Sequence, residues 1–362
     1  MNLLILCDSS GSLSSVRPES EIFIGLAKAG FTITILTAGD SQYIPRYIEH
    51  GIRVIETTSN RKLSFSGVHQ ARRAIKENDI DVVYATNSRN IPTAAFASLG
   101  TKAKLIVYRG TTGGLYRSDP STYLTLLHPR VDGVICVSHA VERYVRKRVW
   151  KRAADNVHTI YKGHDLEWYT NPETDLSSFE TGKGNFNVAC VANARPHKGL
   201  IYFIQAAATL SDLKDLHFIL VGKNITKEPY VSQIERSGMS DRIHVTGYRN
   251  DAPEIIAACD VLVVPSIREG LPRVILESLA YKTPVITSAN EGSMEIIEND
   301  VNGYVVPIRD ADGIAQKIRF LYDNPETLKR LSDNSQARLK KELSAERTVA
   351  NYKAYFQALL SK

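Results

Sequence analysis

The chain has 362 residues, enough for two domains rather than one. With 43% hydrophobic and 23% charged residues it is ordinary soluble globular material, and no run reaches the roughly 18 apolar residues of a spanning helix. The net charge of +6 is uneven: residues 1–170 carry 22 Lys and Arg against 15 Asp and Glu, whereas 171–362 carry 23 against 24. The first half is therefore expected either to meet an anionic partner (membrane surface, acidic glycan or nucleic acid) or to present a solvated basic face.

Met1-Asn2-Leu3-Leu4-Ile5-Leu6-Cys7-Asp8 lacks a basic leader and a small-residue cleavage site, so it reads as a first strand and not a signal peptide. Cys7, Cys136, Cys190 and Cys259 lie in or beside apolar runs without metal-ligand spacing. Reduced core thiols and a cytoplasmic setting follow. Strand patterns at 2–7, 32–37, 53–56, 82–85, 104–108 and 134–137, with 157–161 closing the sheet, alternate with helical patterns at 19–29, 67–77, 92–99 and 140–151. Such alternation predicts a parallel, doubly wound sheet.

Two stretches of this half carry chemistry. Arg109, at the end of a strand, precedes Gly110-Thr111-Thr112-Gly113-Gly114, a run suited to wrapping a ligand. An arginine cannot act as a base at neutral pH but can hold an anion; a structural ion pair is the other reading. Residues 142–152 interleave six cations with Tyr144, Val145, Val149 and Trp150, which suits an anionic membrane interface as well as an ordinary surface helix.

A polar stretch rich in Pro, Ser and Gly marks a linker over 170–186. The alternation then restarts, with strands at 187–191, 217–221, 243–245, 261–264, 285–287 and 304–306, and helices at 199–210, 231–237, 252–258, 272–281, 293–298, 310–323, 325–342 and 345–360. The domains expected are 1–169, completed by the last helix over 345–362, and 187–344.

Arg195-Pro196-His197-Lys198-Gly199 follows the first strand of the second half and opens a helix. Arg195 offers phosphate a fork and Lys198 a point charge, although solvated turn cations would look the same. Further on, the apolar run Val261–Val264 leads through Gly270 and Pro272 into a helix. A helix N-terminus at the C-terminal end of a parallel strand places amides near Arg273 and Val274 where a phosphate can bind. Glu269 and Glu277 stand eight residues apart, about 12 Å along the axis if all were helical. That spacing excludes a shared proton or metal and suits two ends of an elongated ligand. The plain alternative is a helix-start acid and a solvated face residue.

Pro265-Ser266-Ile267-Arg268-Glu269-Gly270-Leu271-Pro272-Arg273-Val274-Ile275-Leu276-Glu277-Ser278-Leu279-Ala280 resembles the E-x7-E signature of retaining glycosyltransferases of family 4, the group 1 enzymes with the GT-B fold. The resemblance implies two facing Rossmann-like parallel-sheet domains with a cleft between them, and a final helix crossing back to the first. It implies that Glu269 contacts the donor sugar and Glu277 the ribose hydroxyls, with Gly270, Leu271, Arg273 and Val274 around the donor. It further implies that Arg195 and Lys198 hold the diphosphate and stabilise the departing nucleotide. Gly222 resembles the family's Val-Gly-x-Gly turn without its second glycine, and Tyr248 its segment near the base. Gly11 and Ser12 fall where relatives carry a glycine-rich loop facing the donor phosphates. Many relatives have histidine where this chain has Arg109; Arg109, Thr111 and Thr112 are then expected on the acceptor or sugar side of the cleft. Gly-x-x-Glu and Asn-Gly segments are matched at 292–295 and 302–303, with Glu295 as a helix-start acid and Gly303 as a turn residue.

By this resemblance the chain is a metal-independent, cytoplasmic hexosyltransferase that uses a UDP- or GDP-sugar and needs no cofactor. Its acceptor would be a glycan or lipid-linked hydroxyl in bacterial surface polysaccharide or glycolipid assembly. Peripheral contact of the basic half with the inner face of the membrane is expected, and no nucleic acid. A GT-B sugar-nucleotide epimerase and a catalytically silent anion- or nucleic-acid-binding relative remain as alternatives.

Overall fold

The computed structural model describes residues 1–11, 13–57 and 63–361. The chain divides into two compact units, Met1–Gly163 with Ala345–Lys362, and His164–Ser344. In the first, β1 (Asn2–Leu6), β2 (Thr32–Ala38), β3 (Arg53–Thr57), β4 (Val82–Ala85), β5 (Lys104–Arg109), β6 (Val131–Cys136) and β7 (Val157–Thr159) form a sheet in the order β3-β2-β1-β4-β5-β6-β7. Every pairing is parallel, for example Leu3 opposite Ile33 and Val82 opposite Lys104. Parallel strands need crossovers, and helices on both faces bury them; hence the continuous apolar runs Leu3–Leu6 and Val82–Ala85, each essentially solvent-free. The crossovers are α1 (Leu13–Lys28), α2 (Ile44–Glu49), α3 (Phe65–Glu77), α4 (Asn90–Ala97), α5 (His139–Arg146) and α6 (Lys151–Ala154).

The second unit repeats the plan. Strands β8 (Phe186–Val191), β9 (Leu216–Val221), β10 (Ile243–Gly247), β11 (Val261–Val264), β12 (Val285–Ser288) and β13 (Gly303–Val306) lie in the order β10-β9-β8-β11-β12-β13, all parallel. Helices α7 (Leu200–Ala208), α8 (Tyr230–Arg236), α9 (Ala252–Ala257), α10 (Arg273–Ala280), α11 (Glu291–Met294), α12 (Ala311–Asp323) and α13 (Pro325–Glu342) surround it. Strand order reverses between β8 and β11, so the connections that follow them run to opposite sides, and a crevice opens at their C-terminal ends.

The last helix, α14 (Ala345–Leu360), belongs to the first unit. Its Tyr352 hydroxyl meets that of Tyr84 at 2.8 Å, and Phe356 is fully buried. Burial of two such rings contributes about 2 kcal/mol each. A Cβ on Gly25 of α1 would lie 2.5 Å from Val349 of α14, so glycine sets how closely these helices approach.

Several expectations need correction. The polar stretch over 170–186 is part of the second unit: Asn171 Nδ2 donates to Glu254 Oε1 at 2.7 Å, Thr174 N to Glu254 O at 3.1 Å, and Thr181 Oγ1 to Asn187 Oδ1 at 2.7 Å. Its polar groups satisfy hydrogen bonds within that unit, and the division falls at Gly163/His164. The helix expected over 140–151 is two pieces, because Trp150 is extended (φ −67, ψ 149) with its indole N–H on Leu127 O at 2.7 Å. The helix expected over 293–298 is the shorter α11, capped by Asn290, so Glu295 sits at its C-terminal end. Gly303 opens β13 instead of making a turn; a Cβ there would lie 2.3 Å from Val285 O. Short α2 was not expected at all. All four cysteines are buried and free, and burial raises their thiol pKa values, that of Cys190 to about 12.

His164 opens the second unit, 2% exposed, with Nδ1 2.6 Å from the Tyr169 hydroxyl. Burial, aided by the Arg273 charge, lowers its pKa to about 3. The folded chain thus keeps this ring neutral while the unfolded chain protonates it near pH 6.5. Stability is complete above that pH and falls as pH drops toward 3. Urea titrations at pH 7 and pH 5 should show about 2 kcal/mol of acid loss from this ring, absent in His164→Gln. An identical pH slope in the variant would remove the assignment.

Candidate functional site

The loops leaving β8 and β11 meet at the crevice of the second sheet. Arg195 is extended, Pro196–Lys198 form a single 3-10 turn, and Gly199 turns left-handed (φ 68) to start α7. A Cβ on Gly199 would lie 2.0 Å from Pro265 O, so only glycine lets this turn rest on the β11 loop. Ile267 N donates to His197 O at 2.8 Å and fastens the two loops. Lys198 Nζ then reaches Glu269 Oε1 at 2.7 Å, and the Ser266 hydroxyl donates to the same oxygen at 2.7 Å. The pair is partly desolvated, with side-chain exposures of 26% and 12%. It ties the two expected catalytic elements directly to each other.

The β12 loop completes the frame. Asn290 Nδ2 donates to Ser266 O at 3.0 Å. Gly292 of α11 lies where a Cβ would be 2.4 Å from Gly270 O and 2.6 Å from Glu269 O, so backbone packs on backbone behind the glutamate. On the other side, Gly222 sits where a Cβ would be 2.0 Å from Ala192 O, Lys223 N donates to Asn193 Oδ1 at 2.9 Å, and Lys223 Nζ lies 4.4 Å from the centre of the half-exposed Tyr248 ring.

The local field is cationic. Burial and the charges of Lys198, Arg268 and Arg195, only partly opposed by Glu269, lower the pKa of His197. Arg195 is exposed at the head of the turn. Such a surface favours a di-anion over a neutral ligand.

Glu277 makes a separate pair. The helix starts at Arg273 with Pro272 as its extended N-cap, so Glu269 precedes it and only Glu277 is helical. Arg273 Nε meets Glu277 Oε1 at 3.0 Å. Glu277 is 4% exposed, and burial raises its pKa against the pull of Arg273, with Glu254 adding to the rise. The reading of Glu277 as a solvated face residue is therefore excluded. Gly270 is buried, and Leu271 and Val274 are half-buried around the turn.

The remaining expected residues belong to the first unit. Arg109 Nε donates to Thr111 O at 2.9 Å, and a terminal nitrogen to Gly113 O. Burial lowers its pKa. The guanidinium therefore shapes its own loop, with Thr111 exposed and Thr112 half-exposed on it. Gly11 is exposed beside Ser15; Ser12 lies outside the described residues.

Sequence reasoning passed over Ser266, His197, Arg268, Asn290, Gly199 and Gly292 as site residues. Asn290 carried a signal, as a capping residue before Glu291-Gly292-Ser293. Gly199 and Gly292 stand within the quoted motifs, but their close approach to carbonyls of distant loops has no local pattern.

Residues 173–338 match the sequence profile described as glycosyl transferases group 1, and residues 21–168 that of glycosyltransferase family 4. The chain is 28% identical to the UDP-Gal:alpha-D-GlcNAc-diphosphoundecaprenol alpha-1,3-galactosyltransferase of Escherichia coli, over 64% of this chain and 58% of that protein. It is 32% identical to the lipopolysaccharide core biosynthesis glycosyltransferase LpsE of Rhizobium meliloti, over 46% of this chain and 47% of that protein. These matches thus span about half the length of the curated relatives. The Anabaena protein HepE, solved in complex with UDP, superposes with a TM-score of 0.78 at 23% identity, over 99% of this chain and 100% of that one.

The interlocked glycines give a direct check. Gly199→Ala and Gly292→Ala should each cost about 3 kcal/mol, since a carbonyl blocks the new methyl. Gly238→Ala, equally left-handed (φ 67) but in open space, should cost only about 1 kcal/mol. Equal costs in urea unfolding would show that the loops are not packed as described.

Proposed function

This chain belongs to the group 1, family 4 glycosyltransferases of GT-B fold, and on that premise we propose that it is a retaining glycosyltransferase acting on a nucleotide-diphosphate sugar. The observation that carries the reading is the Lys198–Glu269 pair joining two strand-end loops at the sheet's crevice. Arg195, Lys198 and the first amides of α10 are assigned to the donor diphosphate, with no metal in the scheme. Glu269 takes the hydroxyls of the sugar. Glu277 keeps one oxygen on Arg273 and gives the other to the ribose hydroxyls. Gly222 and Tyr248 lie toward the base; Gly11, Ser12, Arg109, Thr111 and Thr112 are assigned to the first unit's share of donor and acceptor binding.

In this scheme an acceptor hydroxyl oxygen bonds to the anomeric carbon on the face that the diphosphate leaves. The bond from that carbon to the phosphate oxygen breaks, and the hydroxyl proton passes to the departing phosphate. Lys198 and Arg195 stabilise the charge gathered there; Glu269 orients the ring and lies close to its developing positive charge. The UDP bound by HepE favours a UDP-sugar, with a GDP-sugar as the other candidate. The diphospho-undecaprenol acceptor named for the Escherichia coli relative favours a lipid-linked acceptor in surface glycan assembly. It also favours work at the cytoplasmic membrane face, reached through the basic first half.

A thermal-shift series with UDP, GDP and ADP tests the nucleotide assignment. The matching nucleotide at about 100 times its Kd should stabilise the fold by about 2.7 kcal/mol. Glu277→Ala should erase that shift. Lys198→Met should lower sugar transfer by about 10²-fold or more. A full shift in Glu277→Ala would move the ribose elsewhere.

A further inference from the structure

Glu277, to which the ribose is assigned, does not stand alone. Glu254 lies on α9, the helix packed beside α10. The two helices are tied just past the end of α10, where Thr283 Oγ1 donates to Ile256 O at 3.0 Å. Tyr281 N donates to Glu277 O at 3.2 Å. The segment that opens the second unit closes the ring. Asn171 Nδ2 donates to Glu254 Oε1 at 2.7 Å, and Asn171 O accepts from the Tyr281 hydroxyl at 3.3 Å. One oxygen of Glu254 is thereby anchored. The other, Oε2, is closed off from water and has no hydrogen-bond partner among the described residues.

A buried polar atom left unpaired is costly, and more so on a charged group. The charges here do not balance either. Arg273 is the cation on Glu277, with Nε 3.0 Å from Oε1. His164 stands near that arginine, but burial keeps its ring neutral, so it brings no second positive charge. The strands beneath α10, β11 and β12, carry no charged residue. From α13, which also packs on α10, Gln336 donates to Ala280 O at 2.7 Å. Among the described residues, two carboxylates therefore stand here against one guanidinium. Burial raises the pKa of Glu277, Arg273 opposes the rise, and Glu254 adds to it. Like charges that share a dry place disfavour each other's ionisation. An ionised carboxylate offers a ribose acceptors only, whereas a protonated one has an oxygen turned donor.

We propose that Glu254 is a positioning residue for Glu277: anchored on Asn171, its carboxylate sets whether Glu277 meets the nucleotide as a carboxylate or as a protonated acid. Acid then releases the nucleotide sooner than Glu277 and Arg273 alone would. The inference rests on the ribose assignment made above, yet its first test needs no nucleotide.

That test follows the carboxyl carbon of Glu277 by NMR in the ligand-free chain, its signal identified by its loss in Glu277→Gln. In the parent it should titrate above the ordinary glutamate range. In Glu254→Gln, whose amide oxygen can keep the bond from Asn171, it should titrate at lower pH. A parent signal in the ordinary range, or one midpoint shared by both proteins, would overturn the proposal. Calorimetric titration with UDP at pH 8 and pH 5 reads the consequence, and the ratio of parent to variant Kd cancels the ligand's own ionisation. The two proteins should bind alike at pH 8, and Glu254→Gln should bind about threefold or more tightly than the parent at pH 5. A ratio equal at both pH values would leave Glu254 a structural anchor and overturn the proposal. A lowered midpoint with no binding of UDP, GDP or ADP keeps the carboxyl pair and removes the donor assignment. An unmoved midpoint with normal UDP binding does the reverse.

Discussion

The second unit depends on backbone pressed against backbone at the carboxyl edge of its sheet. Gly199 lies on the carbonyl of Pro265, Gly222 on that of Ala192, and Gly292 on those of Glu269 and Gly270. Each contact admits no side chain. Three loops from β8, β11 and β12 are thereby held as one layer, and a fourth from β9 is fastened beside them. A charged pair in a mobile loop would be worth little in water. Here Lys198 and Glu269 face each other from loops whose positions are already fixed, so the pair is oriented without ordering long, free side chains.

That rigidity bears on the proposed chemistry. A diphosphate site works best when its cations do not reorganise as charge develops. Burial is the first cause of the depressed pKa of His197, and the charges of Lys198, Arg268 and Arg195 add to it against the opposing Glu269. Glu269 offsets part of their field and also occupies Lys198. In the proposed scheme a ligand phosphate competes with this carboxylate for the lysine, and the released carboxylate accepts sugar hydroxyls. The buried Glu277 is held differently, by an arginine one helical turn away on its own helix.

Much of this was legible in the sequence, because apolar periodicity locates strands buried on both faces. The runs at β8 and β11 and the Gly-Pro punctuation after β11 placed Glu269 and Lys198 at strand ends, which is where the structure has them. What was not legible came from contacts distant in sequence. Nothing near Trp150 signals that its indole will bond Leu127 O and break the helix into α5 and α6. Nothing near Arg109 signals that its guanidinium will turn onto the carbonyls of its own loop. The polar segment after Thr170 has linker composition, yet its side chains bond to Glu254 and Asn187 of the second unit. Short α2, six residues around the buried Tyr47, is below the length at which a 3.6-residue period can be recognised.

The central claim is that Lys198 is a diphosphate ligand which Glu269 holds in reserve. Calorimetric titration of UDP into two single variants separates the partners of the pair. The account predicts that Lys198→Met weakens UDP binding at least about tenfold, as loss of one charge-assisted hydrogen bond should. Glu269→Gln, which removes the competing charge, should bind UDP as tightly as the parent or tighter. Equal weakening in both variants would make the pair a structural clasp with no part in holding phosphate, and would contradict the account.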